Sequence, residues 1–461
     1  MNKLNTKYIF LISMVSAMGG LLFGYDWVVI GGAKPFYEQF FNIANSPNLQ
    51  GWAMSCALIG CLLGAITSGV FSDRFGRKKL LIFSAFLFTL SAIGTGAANE
   101  FTPFIIYRIL GGIGIGLASN LSPMYIAEIS PAAMRGKFVS LNQLTIVIGI
   151  LLAQIANWQI AEPVAPNATD ADILSSWNGQ MGWRWMFWAE TIPAGLFFIL
   201  MFLVPESPRW LAKNENENKI IKILSKVGGK EYAQREYKSI RASLANETSK
   251  VNFKELFEPG IKKILLIGIV LAAFQQWCGI NVIFNYAEEV FAAAGYGVSD
   301  ILFNIVVTGS VNLIFTFVAI YTVDKLGRRA LMLIGAGGLA GIYAMLGAAY
   351  YFHVTGWPLL LLVVIGIACY AMSLAPVTWV VLSEIFPNRI RGAAMAVATV
   401  SLWLASFLLT YTFPLLNNAF GASGTFLLYG IICVAGLAFI YKKLPETKGK
   451  SLEEIEMEIL K

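Results

Sequence analysis

"SDRFGRKK" (Ser72–Lys79) returns later in the chain as "VDKLGRRA" (Val323–Ala330), and the fold follows from that return. Each copy separates two apolar runs, with a glycine that permits a tight turn between an acidic residue and a pair of bases. Further pairs follow in the same order. "AEISPAAMRGK" (Ala127–Lys137) matches "SEIFPNRIRGA" (Ser383–Ala393), so that Glu128 and Arg135 stand seven apart, as do Glu384 and Arg391. "PESPRW" (Pro205–Trp210) matches "PETKGK" (Pro445–Lys450). The chain is a duplication, and two parallel six-span repeats predict two bundles with a site between them, a transporter architecture.

Composition gives the same class. Of 461 residues, 57% are hydrophobic and 13% charged, with mean hydropathy +0.66. A soluble domain of this size carries far more charge. The expected fold is therefore an all-α membrane protein, because the apolar runs have helix length and lack the short alternation of a β-barrel. The net charge of +7 does not point to nucleic acid. Lys and Arg gather in short loops on one face, which marks that face as cytoplasmic, whereas the opposite loops hold few, such as Lys34 after the first span. The five cysteines all fall in apolar runs and read as small buried hydrophobes, with no disulfide framework and no metal spacing. The first apolar run lacks a cleavage signature and reads as a retained span.

Twelve spans are predicted. They cover about 8–32, 51–72, 80–98, 103–126, 138–159 and 183–204, then about 262–292, 300–323, 330–352, 357–383, 392–416 and 424–444. The division expected is a six-helix bundle over 1–204, a cytoplasmic helical linker over 205–260, a second bundle over 261–445 and a cytoplasmic tail over 446–461. In the linker Ile220, Ile221, Leu224 and Val227 recur at helical spacing, as on an amphipathic helix. The tail reads similarly. An even span count with basic loops inside places both termini in the cytoplasm.

Within "GGLLFGYDWVVIGG" (Gly19–Gly32) sits Asp26, and a carboxylate at mid-membrane costs about 2.5–3.5 kcal/mol on insertion scales. Asp26 lies roughly 9 Å below the outer end of the first span, and Arg108 lies roughly 8 Å below the outer end of the fourth. The matched depths predict an Asp26–Arg108 pair. Either it is a permanent packing ion pair, or it is a proton switch in which burial favours the neutral acid once Arg108 moves away. We read it as the switch, since intramembrane carboxylates are functional by default.

These motifs, with "PESPRWL", "SEIFPNRIRG", "PETKG" and "FQQWCGIN", are similar to those of the sugar porter family of the major facilitator superfamily. The resemblance runs from about Gly19 to Leu452, and within the family it is nearest the bacterial D-xylose:proton symporters. It implies a proton-coupled monosaccharide symporter, for a pentose or hexose such as xylose or glucose, working by alternating access in the bacterial cytoplasmic membrane as a monomer. It also implies a cytoplasmic gate of charged residues. These are Asp73, Arg77, Glu128, Arg135, Glu206 and Arg209 in the first half, with Asp324, Arg328, Glu384, Arg391 and Glu446 in the second. They would latch one state and part in the other, though the same residues could serve as topological anchors. Proton-coupled members keep the aspartate of "FGYD", which adds weight to the switch.

A sugar needs uncharged donors and acceptors together with an aromatic face, and amides supply both hydrogen-bonding roles. The seventh span offers Gln275, Gln276, Asn281 and Asn285, with Gly279 able to relax the helix among them. By resemblance Gln143, Asn312, Trp379, Trp403 and Phe23 join the sugar site, and Tyr286 helps close its outer side. Several positions depart from the xylose-type pattern: Trp27, Ile150, Phe284, Asn285, the pair Leu374–Ala375, and Leu402. They predict an altered sugar preference. His353 reads as an exposed loop residue. "GGIGIG" (Gly111–Gly116) reads as helix packing rather than a nucleotide loop, since no strand precedes it. No cofactor, metal, ATP motif or catalytic triad is expected, and an enzyme is disfavoured because amides are poor acids and bases. A hexose uniporter with a structural Asp26, or a sugar sensor that does not translocate, stays open as an alternative.

Overall fold

A computed structural model describes residues 4–131, 134–165, 168–213, 217–245, 253–387 and 390–448, and among them the regular structure is helical throughout. The first half holds α1 (Thr6–Phe40), α2 (Pro47–Phe75), α3 (Arg77–Ala97), α4 (Phe101–Ile129) and α5 (Arg135–Ile160). A short outer helix α6 (Asp170–Ser175) precedes a sixth span made of a π-turn at Asn178–Gly182, α7 (Trp183–Ala189) and α8 (Thr191–Leu203). The linker forms α9 (Pro208–Lys213) and α10 (Glu217–Ala245), which bends at Gly228 and Gly229. The second half holds α11 (Pro259–Trp277), α12 (Ile280–Asn285), α13 (Ala287–Ala293), α14 (Val298–Leu326), α15 (Arg328–Tyr351), α16 (Trp357–Ala371), α17 (Leu374–Ile385) and α18 (Arg391–Lys443). Gly421 interrupts α18 with a φ of 65°, so it supplies the eleventh and twelfth spans. Among the described residues, eleven helical segments are long and apolar enough to cross a membrane, the last of them being this double one.

Cα packing divides the chain into two compact units. One contains Met1–Asp26, Gly60–Gly149 and Trp188–Lys250; the other contains Trp27–Ile59, Ile150–Phe187 and Val251–Lys461. α1, α2 and α5 thus each contribute one segment to either unit, whereas the repeat places all three in the first bundle.

In the first unit, helices close on glycine. Gly60 and Gly64 of α2 lie against the backbone of α4 at Ile109 and Ile113, and Gly116 of α4 lies against Cys61 and Ala65. In lipid such small residues let backbones approach, which is what "GGIGIG" does here. The amphipathic linker behaves as its spacing predicts. Ile220, Leu224 and Val227 are buried. Val227 packs with Ile9, Ala17, Ile126 and Phe138 and accepts the Asn5 amide at 2.8 Å. The start of α1 therefore lies on the linker side.

The repeated turns are held by carboxylates. Gly76 turns at a φ of 88°, and Glu206 then accepts the exposed N–H groups of Arg77 (3.0 Å) and Lys78 (3.1 Å) at the start of α3. A carboxylate suits that position because it meets orphan donors and the positive end of the helix dipole. In the second unit Gly327 turns at 89°, and Glu446 accepts Arg328 N–H (3.0 Å) and Arg329 N–H (3.1 Å) at the start of α15. Burial draws the Glu446 carboxyl up, but the N–H groups of Lys448, Arg328, Arg329 and Thr447 hold it below the ordinary carboxylate range.

The first span departs from its predicted length. It does not stop at Gly32; α1 continues through Pro35 to Phe40, so Lys34 lies inside a helix and is buried. "GGAKP" carries loop punctuation, but packing overrides it, and Pro35 forgoes only the bond to Gly31.

Gly64→Leu or Gly116→Leu is expected to cost about 1–3 kcal/mol by overpacking, seen as a lower Tm of the purified protein. Gly195→Leu, where a side chain would meet nothing, leaves Tm unchanged. Because the Glu446 carboxyl is held low, its contribution is full above the ordinary carboxyl range and fades as pH falls through the lowered value. Glu446→Gln should lower Tm at neutral pH, and the difference from wild type should shrink on acidification.

Candidate functional site

The first unit brings Asp26 and Arg108 together. Both are buried at 2% exposure. Arg108 Nη1 pairs with Asp26 Oδ1, and Nη2 donates to the Asp26 carbonyl at 3.3 Å. Asp26 Oδ2 has no hydrogen-bond partner among the described residues, and the missing side chain of Gly111 leaves room for it. One carboxylate oxygen is thus engaged and the other is open to a proton.

A third ion belongs to this group. Glu190, at the join of α7 and α8, is buried within electrostatic reach of both Asp26 and Arg108, and its Oε1 has no hydrogen-bond partner among the described residues. Asp26 and Arg108 are therefore not the whole intramembrane charge set of this half. The signal lay in "FWAETIPAG", a carboxylate within the sixth apolar run. With one Arg108 facing two carboxylates, proton occupancy decides the net charge.

The charged loops form two matching clusters. In the first unit Arg77 Nη2 meets Glu128 Oε1 at 2.8 Å and Arg77 Nη1 meets Asp73 Oδ1 at 3.5 Å. Ser207 Oγ donates to Glu128, and Lys213 pairs with Asp73 at 3.4 Å. Arg135 and Arg209 line one cleft with Glu128 and with Glu236 of α10, a residue that spacing alone did not mark. In the second unit Arg328 pairs with Glu384 at 3.2 Å, and Thr447 Oγ1 donates to Glu384. The counterparts correspond one for one: Arg77 with Arg328, Glu128 with Glu384, Glu206 with Glu446, Ser207 with Thr447. Arg391 donates to the Phe386 carbonyl at 3.2 Å, closing the end of α17. The Asp324 side chain lies outside the described residues.

The seventh-span amides meet in the second unit. α11 stops at Trp277, and Gly279 takes a left-handed φ of 85°, so the helix is broken where relaxation was expected. Gln275 Nε2 donates to the Ala375 carbonyl at 3.1 Å, beside a second break at Ser373 between α16 and α17. That carbonyl lies in the first turn of α17, so the bond ties the end of α11 to the start of α17 beside both breaks. Gln276 donates to Gln275 Oε1 at 3.2 Å, and Asn281 donates to Gln276 Oε1, making a relay of amides. Asn285 is buried with Oδ1 unbonded. Leu374 and Ala375 act here through their backbone. Trp27 packs on Trp403 with ring centroids 6.0 Å apart, so the bulky residue after Asp26 supports an aromatic of the candidate sugar site.

Asn312 is buried on α14, and Trp379 is half-buried on α17. Tyr286 donates to the Thr410 carbonyl at 2.6 Å and packs on Phe413. Phe23 and Gln143 are half-buried in the first unit. His353 is exposed at a turn.

The model of the family "Sugar (and other) transporter" matches residues 12–459. The D-xylose-proton symporter of Escherichia coli (strain K12) is 41% identical over 98% of this chain and 96% of its own length. The glucose transport protein of Synechocystis sp. is 39% identical over 98% of this chain and 97% of its own length. The inward-open structure of the xylose transporter XylE from E. coli superimposes with a TM-score of 0.84 at 40% identity, covering 98% of this chain and 99% of that one. Duplicated turns, twelve spans, and a match along nearly the whole chain make this a multi-pass membrane transporter of the major facilitator type, a member of the sugar transporter family.

Proposed function

We propose that this chain is a proton-coupled monosaccharide symporter of the bacterial cytoplasmic membrane, carrying a pentose or hexose such as xylose or glucose by alternating access. The observation that carries the coupling is the buried Asp26–Arg108 pair, with one Asp26 oxygen unbonded. A proton on Oδ2 neutralises Asp26 and weakens its hold on Arg108, leaving Glu190 as the remaining carboxylate in reach. Protonation thereby changes which contacts Arg108 favours, and the helices that carry it respond.

The sugar is held by the amides Gln275, Gln276, Asn281 and Asn285, with Gln143 and Asn312, and by the aromatics Trp379, Trp403 and Phe23. The amide relay supports this assignment, since each bond between amides can be exchanged for one to a sugar hydroxyl at little desolvation cost. The bundles 1–204 and 261–445 rock about that site, joined by the linker 205–260. The clusters around Arg77 and Arg328 latch the cytoplasmic side, with Asp324 completing the second by analogy to Asp73, and the tail 446–461 begins at the cap residue Glu446. Both termini face the cytoplasm, and a single chain suffices for the cycle.

Two outcomes are expected in proteoliposomes. An inward proton gradient should drive wild-type accumulation of xylose or glucose, and Asp26→Asn should abolish accumulation while retaining counterflow exchange. Gradient-insensitive equilibration in both proteins would instead identify a uniporter. Gln276→Ala should raise KM for the transported sugar by about tenfold, the worth of one hydrogen bond of about 1.4 kcal/mol, with a smaller change in kcat.

A further inference from the structure

The far end of α1 carries a second group of ions that the mechanism above does not use. Lys34 is 2% exposed and meets three carboxylates: Glu289 at 2.7 Å, Glu38 at 3.1 Å and Glu288 at 3.2 Å. It lies about 42 Å along α1 from Thr6, beyond a hydrocarbon layer of about 30 Å. Since α1 starts beside the linker helices, this cluster marks the opposite, extracytoplasmic face. All of these residues, with Gln50, belong to one compact unit.

The cluster ties the first repeat to the second. Lys34 and Glu38 come from α1, Glu288 and Glu289 from α13, and Gln50 of α2 donates to Glu38 at 2.8 Å. α13 is jointed at both ends. It follows the break at Gly279 and a non-helical Tyr286, and it ends before Gly295 with a φ of 85°. Tyr37 and Tyr286 face the same charges, and Tyr350 holds the Val290 carbonyl at 2.7 Å. One ammonium opposes three carboxylates, so full ionisation would leave two negative charges in excess around a Lys34 that is 2% exposed, with Glu288 and Glu289 half-buried beside it. Among the described residues Glu289 Oε2 and Glu38 Oε1 are buried and unbonded, which leaves each an oxygen for a proton.

We propose that Lys34, Glu38, Glu288 and Glu289 form an extracytoplasmic latch with its own protonation site, in which a proton on Glu289 holds α13 against α1 and loss of that proton to water releases it. Lys34 is a positioning residue and contacts no sugar. Burial, reinforced by Glu288 and Glu38 and opposed by Lys34, pushes the Glu289 carboxyl up to about 7. Raised from its ordinary value, it favours closure most strongly at acid pH, and that advantage is lost as pH rises through about 7. An acidic exterior therefore promotes closure behind a loaded sugar. This latch goes beyond the coupling role of Asp26 and does not depend on which sugar is carried.

Spin labels at Asn45 and Ala293, both exposed, in full-length protein with its native cysteines replaced, would report the outer separation by double electron–electron resonance in lipid nanodiscs. Without sugar, the longer-distance population should grow at least about threefold between about pH 5.5 and 8.5, with a midpoint near the raised Glu289 value. Glu289→Gln should hold the short distance at every pH, and Lys34→Met should favour the long one throughout. If Lys34→Met does not fold, Glu288→Gln decides, because removing a charge that helps raise Glu289 should move the midpoint to lower pH and shrink the pH-driven opening. Repeating the titration in an Asp26→Asn background should leave the shift intact, which separates the latch from proton coupling at Asp26. A distribution insensitive to pH in wild type, or a shift that survives in Glu289→Gln, overturns the proposal.

Discussion

A charged side chain away from water must find its counter-charge within the protein, and most of this structure's polar organisation follows from that constraint. Arg108 answers Asp26, Lys34 answers Glu289, and Arg77 and Arg328 answer Glu128 and Glu384. Each pair joins residues from different helices. A helix that carries one ion is therefore bound to whichever helix carries the other. Such pairs contribute less to stability than their Coulomb attraction suggests, because desolvation opposes it. Their value lies in having few alternative arrangements, which suits a molecule that must switch between states.

The pairs differ in how their charge is balanced. Around Arg77 and Arg328 the carboxylates also cap helix starts, so those turns have rigid geometry set by Gly76, Gly327, Glu206 and Glu446. Around Asp26 and around Lys34 carboxylates outnumber cations, and unbonded oxygens remain. A balanced cluster responds to movement, whereas an unbalanced one also responds to protons. Both kinds occur here at different depths, which lets a single chain combine mechanical latching with proton sensitivity.

The neutral polar groups obey a related rule. Breaking a membrane helix frees carbonyls that lipid cannot satisfy. Gln275, just before the break at Gly279, donates to the Ala375 carbonyl just after the break at Ser373, so one amide ties the two interrupted spans together. The substitution of Leu374 and Ala375 for the family's more usual pair is therefore tolerable at this contact, because their carbonyls, not their side chains, meet the amide. The bulk of Trp27 likewise finds a use as packing for Trp403.

Spacing and hydropathy were enough to determine the class, the duplication, the twelve spans and the amphipathic linker, because those depend on periodicity and on the length needed to cross a bilayer. The Asp26–Arg108 contact was also legible, since two helices of known direction fix depth through a constant rise per residue. What sequence could not determine was which helix faces which, and that decided the rest. Glu190 joins Asp26 only because the sixth span packs beside the first, and Lys34 is a buried helical ion only because packing carries α1 past Gly32 and Pro35. Local signals specify a residue's place along its own element. Its counter-charge comes from a distant part of the chain, and only the packed structure supplies it.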